Sequence, residues 1–437
     1  MKNILKKPMI ATALAMGLLG VVSGAEAQTK IDFYFPAGVQ GPVARNMQEL
    51  VSQFNESQDE IEVVAAYTGN YTQTKTKAQA AIAAGAPPAL ALMSANLTLE
   101  LVLDEQIVSI EGLLEAENQD RDTFLSDFWP ALHKNAIVND TLYAIPFQNS
   151  TPLLYINAEH FREVGLDPEN PPSTWDELLD AAQKLTQRDG DEVTRYGIVL
   201  PQSSSYLSWV FQAFVMANGG DFFNADTGAE VYFDSAETTD ALTFYRALAY
   251  EHNVMPQSIT DSKQVSTFFI SGKASMMILS TGAMGFVRDN APFDYQVGFV
   301  PGNVRNAVPI GGGSVVIFKG QEPEKLAAAW TFAKWLTDAP QLGFWSRATG
   351  YFAPRQSSYE IEEMQEFLAE NPDASTAVQQ LPYAQPWLAT YKTIAVRTAL
   401  EDELQQVIAG QKTVEEGLAD AQAKAEEILQ PYVDTLQ

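Results

Sequence analysis

Cysteine is absent from the 437-residue sequence. Its absence excludes disulfide bonds, thiolate metal sites, cysteine nucleophiles and a lipid-modified cysteine. Long hydrophobic runs are missing too, since no stretch after residue 27 reaches the roughly 18 uninterrupted apolar residues of a membrane-spanning helix. The core alone must therefore stabilise the fold, and with 46% hydrophobic residues the chain has enough apolar side chains to build one.

Histidine is scarce, and the signatures of catalysis are absent. His133, His160 and His252 stand alone, without the spacing of a metal site or of a serine–histidine pair. The sequence has no GxSxG motif, no phosphate-binding loop and no GxGxxG motif between a strand and a helix. We therefore expect no catalytic residues, no metal and no cofactor. A secreted glycosidase with a pair of carboxylates is the enzyme alternative that composition leaves open.

Basic residues are few. The 27 Lys and Arg face 55 Asp and Glu, which leaves a net charge of −28. Such a surface repels nucleic acid and anionic lipid and favours solubility. The length is too great for one compact core and predicts two domains of roughly 150–250 residues.

The first 27 residues have the pattern of a secretory signal peptide. Lys2, Lys6 and Lys7 precede an apolar run from Met9 to Val22, and Ala25-Glu26-Ala27 has the small-x-small pattern of a cleavage site. We therefore expect a mature chain that starts near residue 28 and works in the periplasm.

Strand and helix patterns alternate along the chain after the signal peptide. Ile31–Phe35 and Ile61–Tyr67 have strand patterns, and a helical pattern lies between them. A second helix is predicted from Asn70 to Ala84, with the short apolar strand Ala89–Met93 after it. Alternation of this kind predicts an α/β fold with parallel strands.

Several motifs follow one another in a characteristic order. Gly165–Leu178 contains the pattern Gly-Leu followed by Pro-Pro-x-Thr-Trp-x-Glu. Further motifs are Gly69-Asn70-Tyr71, Asn149-Ser150-Thr151-Pro152, Ser280-Thr281-Gly282, Ile310-Gly311-Gly312, Thr349-Gly350-Tyr351 and Arg397 ahead of Glu401–Leu404. The first pattern resembles that of extracellular solute-binding proteins of ABC importers, a group that includes maltose-binding proteins. The full set resembles the narrower family of periplasmic sn-glycerol-3-phosphate-binding proteins, over nearly the whole chain after residue 27.

The resemblance implies a two-lobed periplasmic binding protein fold of the α/β class. A ligand cleft would lie between the lobes, and the chain would cross between them more than once. We expect the first lobe to contain residues 28–145 and 281–330, and the second to contain 146–280 and 331–437.

The resemblance also implies a set of ligand-binding residues. These are Tyr71, Ser150, Trp175, Ser280, Gly312, Tyr351 and Arg397. An arginine fork can bind two phosphate oxygens, hydroxyl groups and a glycine N–H add donors, and a tryptophan face suits a polyol carbon skeleton or a choline head group.

The same residues also have structural interpretations. Trp175 could pack between helices, and Arg397 could form a surface ion pair with Glu401 or Asp402. The glycines around Gly312 could form a bulge or a close strand contact. One departure from the family concerns the hydroxyl end of the pocket: the position of its glutamate falls on Ala95, which leaves Ser94 or Asn96 as substitutes.

Together these features predict a periplasmic solute-binding protein that captures sn-glycerol 3-phosphate or a glycerophosphodiester such as glycerophosphocholine. It would work as a monomer, without nucleic acid, and deliver its ligand to an ABC permease in the inner membrane. A neutral sugar is the alternative ligand. A secreted hydrolase and an adhesive surface protein are the alternative classes.

Overall fold

The computed structural model describes residues 28–437. The predicted signal peptide, 1–27, lies outside the described residues. Within 28–437, no helix combines the length and the apolar character that a membrane crossing requires.

Strands in the described part of the chain form two five-stranded sheets and two small ribbons. Their bounds are β1 (Thr29–Phe35), β2 (Ile61–Tyr67), β3 (Leu90–Ser94), β4 (Ile137–Val138), β5 (Thr141–Leu142), β6 (Ile145–Ser150), β7 (Pro152–Asn157), β8 (Gln187–Asp189), β9 (Glu192–Val199), β10 (Ala274–Ser280), β11 (Tyr295–Gly298), β12 (Val308–Pro309), β13 (Gly311–Ile317) and β14 (Ala384–Gln385).

Helices surround both sheets. Their bounds are α1 (Val43–Ser57), α2 (Tyr71–Ala83), α3 (Thr98–Leu103), α4 (Ile110–Ala116), α5 (Arg121–Leu125), α6 (Ala158–Glu163), α7 (Trp175–Leu185), α8 (Ser204–Ala217), α9 (Ala236–Tyr250), α10 (Ser262–Ile270), α11 (Met284–Asn290), α12 (Pro323–Leu336), α13 (Ala339–Thr349), α14 (Glu362–Glu370), α15 (Thr376–Gln379), α16 (Thr393–Ile408) and α17 (Val414–Val433).

The first sheet has the strand order β2-β1-β3-β13-β6, and the second has the order β11-β7-β10-β9-β8. In the first sheet β1 runs parallel to both β2 and β3, whereas β13 runs antiparallel to its neighbours. In the second sheet β10 is parallel to β9 and antiparallel to β7. This mixed α/β architecture with two sheets confirms the predicted two-lobed fold.

Local sequence explains where the helices near the cleft begin. The Asn70 side chain caps α2 by accepting from the Gln73 N–H, and the Gln73 side chain accepts from the Asn70 N–H in return. At α7, the Thr174 side chain caps the helix by accepting from the Glu177 N–H at 3.2 Å. The Glu177 carboxylate, however, accepts from the backbone and hydroxyl of Ser173 instead of from Thr174.

Each sheet has its own hydrophobic core. The first core joins apolar residues of β1, β3 and β6 to those of α12, α13 and α14. The second sheet is covered on one face by α7, α8, α9, α16 and α17, and on the other by α10 and α11. Two cores of this kind are expected for a chain of this length.

The predicted lobe boundaries differ from the division that the sheets make. Residues 281–298, expected in the first lobe, pack on the second sheet, where β11 pairs with β7. Residues 331–364, expected in the second lobe, pack on the first sheet through α12, α13 and α14. The reason is strand pairing over long distances in the sequence: β13 joins β3 and β6, so the helices after it follow the first sheet. The chain thus crosses between sheets at Thr151, between β11 and β13, and again after α14.

Candidate ligand-binding cleft

A cavity of about 450 Å³ lies between elements of the two sheets. The first-sheet wall consists of the start of α2, the segment 37–38 and the turn after β3. The second-sheet wall consists of α8, the first turn of α10, Trp387 and α16. A narrow extension shares Tyr71, Tyr206 and Trp387 with the main cavity. Such a concave site between two units is the usual place for a small-molecule ligand.

Tyr71, Ser150, Gly312 and Tyr351 come together in the narrow extension of the cavity. Tyr71 is the first residue of α2, and its hydroxyl accepts a hydrogen bond from the Gln148 amide. Burial raises the pKa of Tyr71 and of Tyr351 above the ordinary phenol value. Both phenols are therefore neutral, and a hydrogen bond joins their hydroxyl groups, so together they offer a neutral donor and acceptor pair to a ligand.

Gly312 lies where a side chain cannot fit. Its φ angle is +81°, and a Cβ atom there would overlap the Gln148 carbonyl oxygen and lie 2.9 Å from the Asn149 Cα. At Gly311, a Cβ atom would lie 2.6 Å from the Trp209 ring. The glycines thus serve two purposes, because they allow a close contact between strands and expose backbone on the cavity wall.

Arg397 reaches the cavity from α16 and is 6% exposed. Its Nε lies 3.3 Å from Glu401 Oε1, and its Nη2 donates to the Thr72 hydroxyl at 3.4 Å. The guanidinium carbon stands 5.6 Å from the centre of the Trp387 ring. The alternative ion pair with Glu401 is therefore present, but it is buried on the cavity wall and not on the surface.

Glu401 is the counter-charge of Arg397. It is 8% exposed, and its Oε1 accepts a hydrogen bond from the Ser208 hydroxyl at 2.6 Å. Burial raises the pKa of Glu401, although Arg397 and Ser208 act in the opposite direction. Arg397 is therefore part of a buried pair of opposite charges on the cavity wall and is not an isolated cation.

Trp175, which the resemblance places among the ligand-binding residues, does not line the main cavity or its extension. The ring stacks on Phe244, with centroids 4.6 Å apart and planes 11° apart, and it also contacts Phe214. Trp175 is the first residue of α7 and belongs to the same apolar face as Leu178, which packs on the second sheet. The burial of this face in the lobe core turns the ring away from the cleft.

Ser280 does not line the cavity but lies behind its wall, in the turn that packs against Tyr351. It is 1% exposed, its hydroxyl accepts from the Gly282 N–H at 3.1 Å, and its carbonyl accepts from the Tyr155 hydroxyl. A Cβ atom at Gly282 would lie 2.5 Å from the Tyr351 ring. The turn that Ser280 caps is thus packed directly against Tyr351.

Ala95 lies outside the cleft, in a separate cavity of about 180 Å³ lined also by Leu99 and Asn135. Of the two suggested substitutes, Ser94 lines the cleft and donates to the Asn96 side chain at 2.8 Å. Asn96 in turn donates to the Leu388 carbonyl. Ser94 is therefore the residue of this turn that faces the cleft, and Asn96 ties the turn to the other wall.

Sequence reasoning missed several residues on the cavity walls. They are Tyr206, Trp209, Lys263, Trp387 and Glu401. The indole N–H groups of Trp209 and Trp387 are buried and have no hydrogen-bond acceptor within residues 28–437. The excess of aromatic residues around these positions was a weak signal, whereas an exposed lysine such as Lys263 gives none in a sequence.

Lys263 adds a second cation. It is exposed on the first turn of α10, lines the same cavity as Arg397, and forms no ion pair with any described acidic residue. Among residues 28–437, no cluster of His, Cys, Asp and Glu is arranged to hold a metal ion. Hydrogen-bond donors, aromatic faces and charged side chains thus define the chemistry of the cavity.

The cavity lies between two α/β lobes, the arrangement that the resemblance to solute-binding proteins implies. A family model described as bacterial extracellular solute-binding protein matches residues 49–376, which is more than half of the chain. The protein belongs to this family, whose members bind solutes and are not enzymes. The predicted family is confirmed.

Individual relatives and solved structures are similar to this chain over most of its length. The chain is 28% identical over 451 aligned positions to the sn-glycerol-3-phosphate-binding periplasmic protein UgpB of Escherichia coli strain K12, with 98% of each chain covered. The crystal structure of UgpB from Mycobacterium tuberculosis in complex with glycerophosphocholine is similar with a TM-score of 0.82 and 22% identity, covering 93% of this chain and 100% of that one. Maltose-bound MalE3 of T. maritima has a TM-score of 0.79 and 22% identity, covering 91% and 99%. At this identity the two solved structures show the shared fold alone.

Proposed function

We propose that this protein is the periplasmic solute-binding component of an ABC importer for a glycerol phosphate compound. The ligand would be sn-glycerol 3-phosphate or a glycerophosphodiester such as glycerophosphocholine. The observation that carries the proposal is the convergence of Arg397, two neutral phenols and a glycine-rich strand on one enclosed cavity.

The donors on the cavity walls suit a phosphate group. Arg397 supplies a planar fork, and Tyr71, Tyr351 and Ser150 supply hydroxyl groups from the opposite wall. Lys263 adds a second positive charge to the lining of the same cavity. Because the whole chain carries a net charge of −28, an anion must be held by local donors of this kind.

The predicted site residues fall into two groups in this proposal. Tyr71, Ser150, Gly312, Tyr351 and Arg397 contact the ligand directly. Ser280 and Trp175 act through the structure, the first by packing the turn beneath Tyr351 and the second by filling the core of the second lobe.

The relatives support this ligand and also the alternative. The E. coli relative is named for sn-glycerol 3-phosphate, and the M. tuberculosis structure contains glycerophosphocholine. MalE3 contains maltose, and the aromatic walls of Trp209 and Trp387 also suit a neutral sugar. The buried Arg397–Glu401 pair is the observation that favours a sugar, since its charges balance.

Delivery would depend on closure of the two lobes. Contacts from both walls exist together only when the cleft is closed, so a bound ligand shifts the population toward that state. The closed form would then dock on the inner-membrane permease and release its solute there.

Isothermal titration of the mature chain, residues 28–437, tests the proposal. The ligands are sn-glycerol 3-phosphate, glycerophosphocholine, glycerol, maltose and trehalose. Tight binding of a phosphate ester, with weak binding of glycerol, is expected. Binding of maltose or trehalose alone would overturn the glycerol phosphate assignment and leave the family membership intact.

A further inference from the structure

Glu401 is an unusual residue for an anion-binding cavity. Its side chain is 10% exposed and lines the same cavity as Arg397 and Lys263. A buried carboxylate repels a phosphate group and is costly to desolvate. Its presence therefore needs a reason other than phosphate binding.

The two oxygens of Glu401 have different surroundings. Oε1 accepts from the Ser208 hydroxyl at 2.6 Å and lies 3.3 Å from Arg397 Nε. Oε2 has no hydrogen-bond donor within residues 28–437, although it belongs to a side chain on the cavity wall. One oxygen is thus held in place by protein groups, and the other is a free acceptor for a ligand.

No other acidic side chain in the described part of the chain lines the main cavity. The turn after β3 contributes the neutral Ser94, while Ala95 faces a separate cavity. A polyhydric ligand carries O–H donors that need acceptors once they are removed from water. Glu401 is the strongest such acceptor on these walls.

We infer that Glu401 binds the hydroxyl groups of the ligand and so selects a polyol from a deoxy compound with the same phosphate group. The inference rests on the proposed function and adds the residue that binds the hydroxyl groups at the glycerol end of the ligand. The buried indole N–H of Trp387, which lines the same cavity as Glu401, provides a donor to the oxygens of the same hydroxyls. A hydroxyl can thus donate to the carboxylate while it accepts from an indole.

A pair of ligands tests this inference. sn-Glycerol 3-phosphate and propyl phosphate share the phosphate monoester and the three-carbon chain, but propyl phosphate has no hydroxyl groups. Isothermal titration gives the ratio of their affinities. We expect the unaltered protein to prefer the glycerol ester by about 10- to 100-fold, since a hydrogen bond to a charged group is worth that much.

Glu401→Gln should reduce this preference by about tenfold or more. Loss of the carboxylate also removes the counter-charge of Arg397, so propyl phosphate should bind as well as before or better. The neighbouring Asp402 is exposed, and Asp402→Asn is the matched control because it removes the same charge from the same helix. The control should leave the affinity ratio unchanged.

The opposite result is equally clear. If Glu401→Gln weakens both esters by the same factor, the carboxylate only positions Arg397 and the inference is wrong. Glu401→Asp covers the case in which the glutamine variant does not fold, because it keeps the charge and withdraws the carboxylate by one methylene. A ratio that is unchanged in Glu401→Asp would also contradict the inference.

Failure of the proposed function gives a different pattern. If the unaltered protein binds neither ester but binds maltose or trehalose, the phosphate assignment fails. Glu401→Gln should then weaken the sugar by about tenfold, because sugar hydroxyls need the same acceptor. An unchanged sugar affinity would overturn the role of Glu401 as well.

Discussion

At the scale of single residues, the main question is how a buried ion pair can serve a ligand. Arg397 and Glu401 stand one turn apart on α16, and both are at least nine-tenths buried. Replacing such a pair by apolar residues often stabilises a protein, so the pair is weak support for stability. Its position on the cavity wall instead indicates a role in ligand binding.

Arg397→Ala should weaken the binding of a phosphate ester by about 2–5 kcal/mol, because it leaves both the ligand phosphate and Glu401 poorly paired. Isothermal titration measures the change. Arg162→Ala is the control, since Arg162 is half-exposed and lies on α6, away from the cavity lining. If Arg397→Ala binds the ester as tightly as the unaltered protein does, Arg397 does not contact the ligand.

Trp175→Ala should destabilise the protein by about 3–5 kcal/mol, as expected for the loss of a buried aromatic side chain. The folded fraction should bind ligand as before, because the ring stacks on Phe244 in the core. Chemical denaturation and titration together separate the two effects. If the variant keeps normal stability but loses affinity, Trp175 contacts the ligand and is not a core residue.

At the scale of elements, β13 is the strand that shapes the cavity. Its first three residues are glycines, and its register with β6 shifts between Gly313 and Ser314. A bulge of this kind re-aims the residues beside it, which suits a strand next to a binding site. The close contact with β6 and the packing of Trp209 on Gly311 both depend on the missing side chains.

Gly312→Ala should destabilise the fold by about 3 kcal/mol or more, because the new Cβ would overlap the backbone of β6 at a positive φ angle. Gly410→Ala is the matched control. Gly410 also has a positive φ angle, of +71°, but a Cβ there meets no atom within 4 Å. The control substitution should lower the free energy of unfolding by about 1 kcal/mol. Equal losses in denaturation midpoints would mean that the close contact does not matter.

At the scale of the whole molecule, the two lobes touch across the cleft. The Tyr206 hydroxyl of the second lobe donates to the Gly38 carbonyl of the first at 2.8 Å, and Lys392 pairs with Asp104 at 3.0 Å. Arg397 and Thr72 form a further bridge. Contacts of this kind stabilise the arrangement in which the lobes touch. They therefore affect the affinity for every ligand by the same factor.

The stability of the whole chain should depend on pH through Asp373. Burial raises its pKa to about 6, with the Glu169 charge acting in the same direction. The folded state therefore holds a proton between the ordinary value near 3.9 and about 6, where the unfolded state has lost it. The folded state avoids a buried charge while this carboxyl group stays protonated. That contribution to the free energy of unfolding is fully present below the pKa of the unfolded state and is lost as the pH rises through the pKa of the folded state.

Asp373→Asn should consequently stabilise the protein at pH 7 by about 1 kcal/mol, after solvent screening of this partly exposed group is discounted. The variant and the unaltered protein should have nearly equal stability at acidic pH. Chemical denaturation across this pH range measures the difference, with the exposed Asp59→Asn as control. A constant difference at all pH values would contradict the assignment.

Much of the architecture was predictable because it depends on neighbours in the sequence. The local sequence between Asn70 and Ala84, rich in alanine and without proline or glycine, predicted α2 to within one residue at each end. Alternation of strands and helices predicted the α/β class, and the motif order predicted the family. The lobe boundaries were less predictable, because they follow from the pairing of β13 with strands more than 160 residues away in the sequence.

The cleft itself was decided by tertiary structure. A sequence shows that Trp175 begins a helix and that Ala95 follows a strand, but the core determines which way each side chain faces. Because the apolar face of α7 is buried, Trp175 points into the lobe, and Trp209 and Trp387 line the cavity instead. Glu401 and Lys263 likewise come to line the same cavity only through folding. By itself the sequence determined the class of fold and the family, since local patterns and motif order are sufficient for both. Only the tertiary structure decided which side chains reach the cleft, because that depends on packing between distant segments.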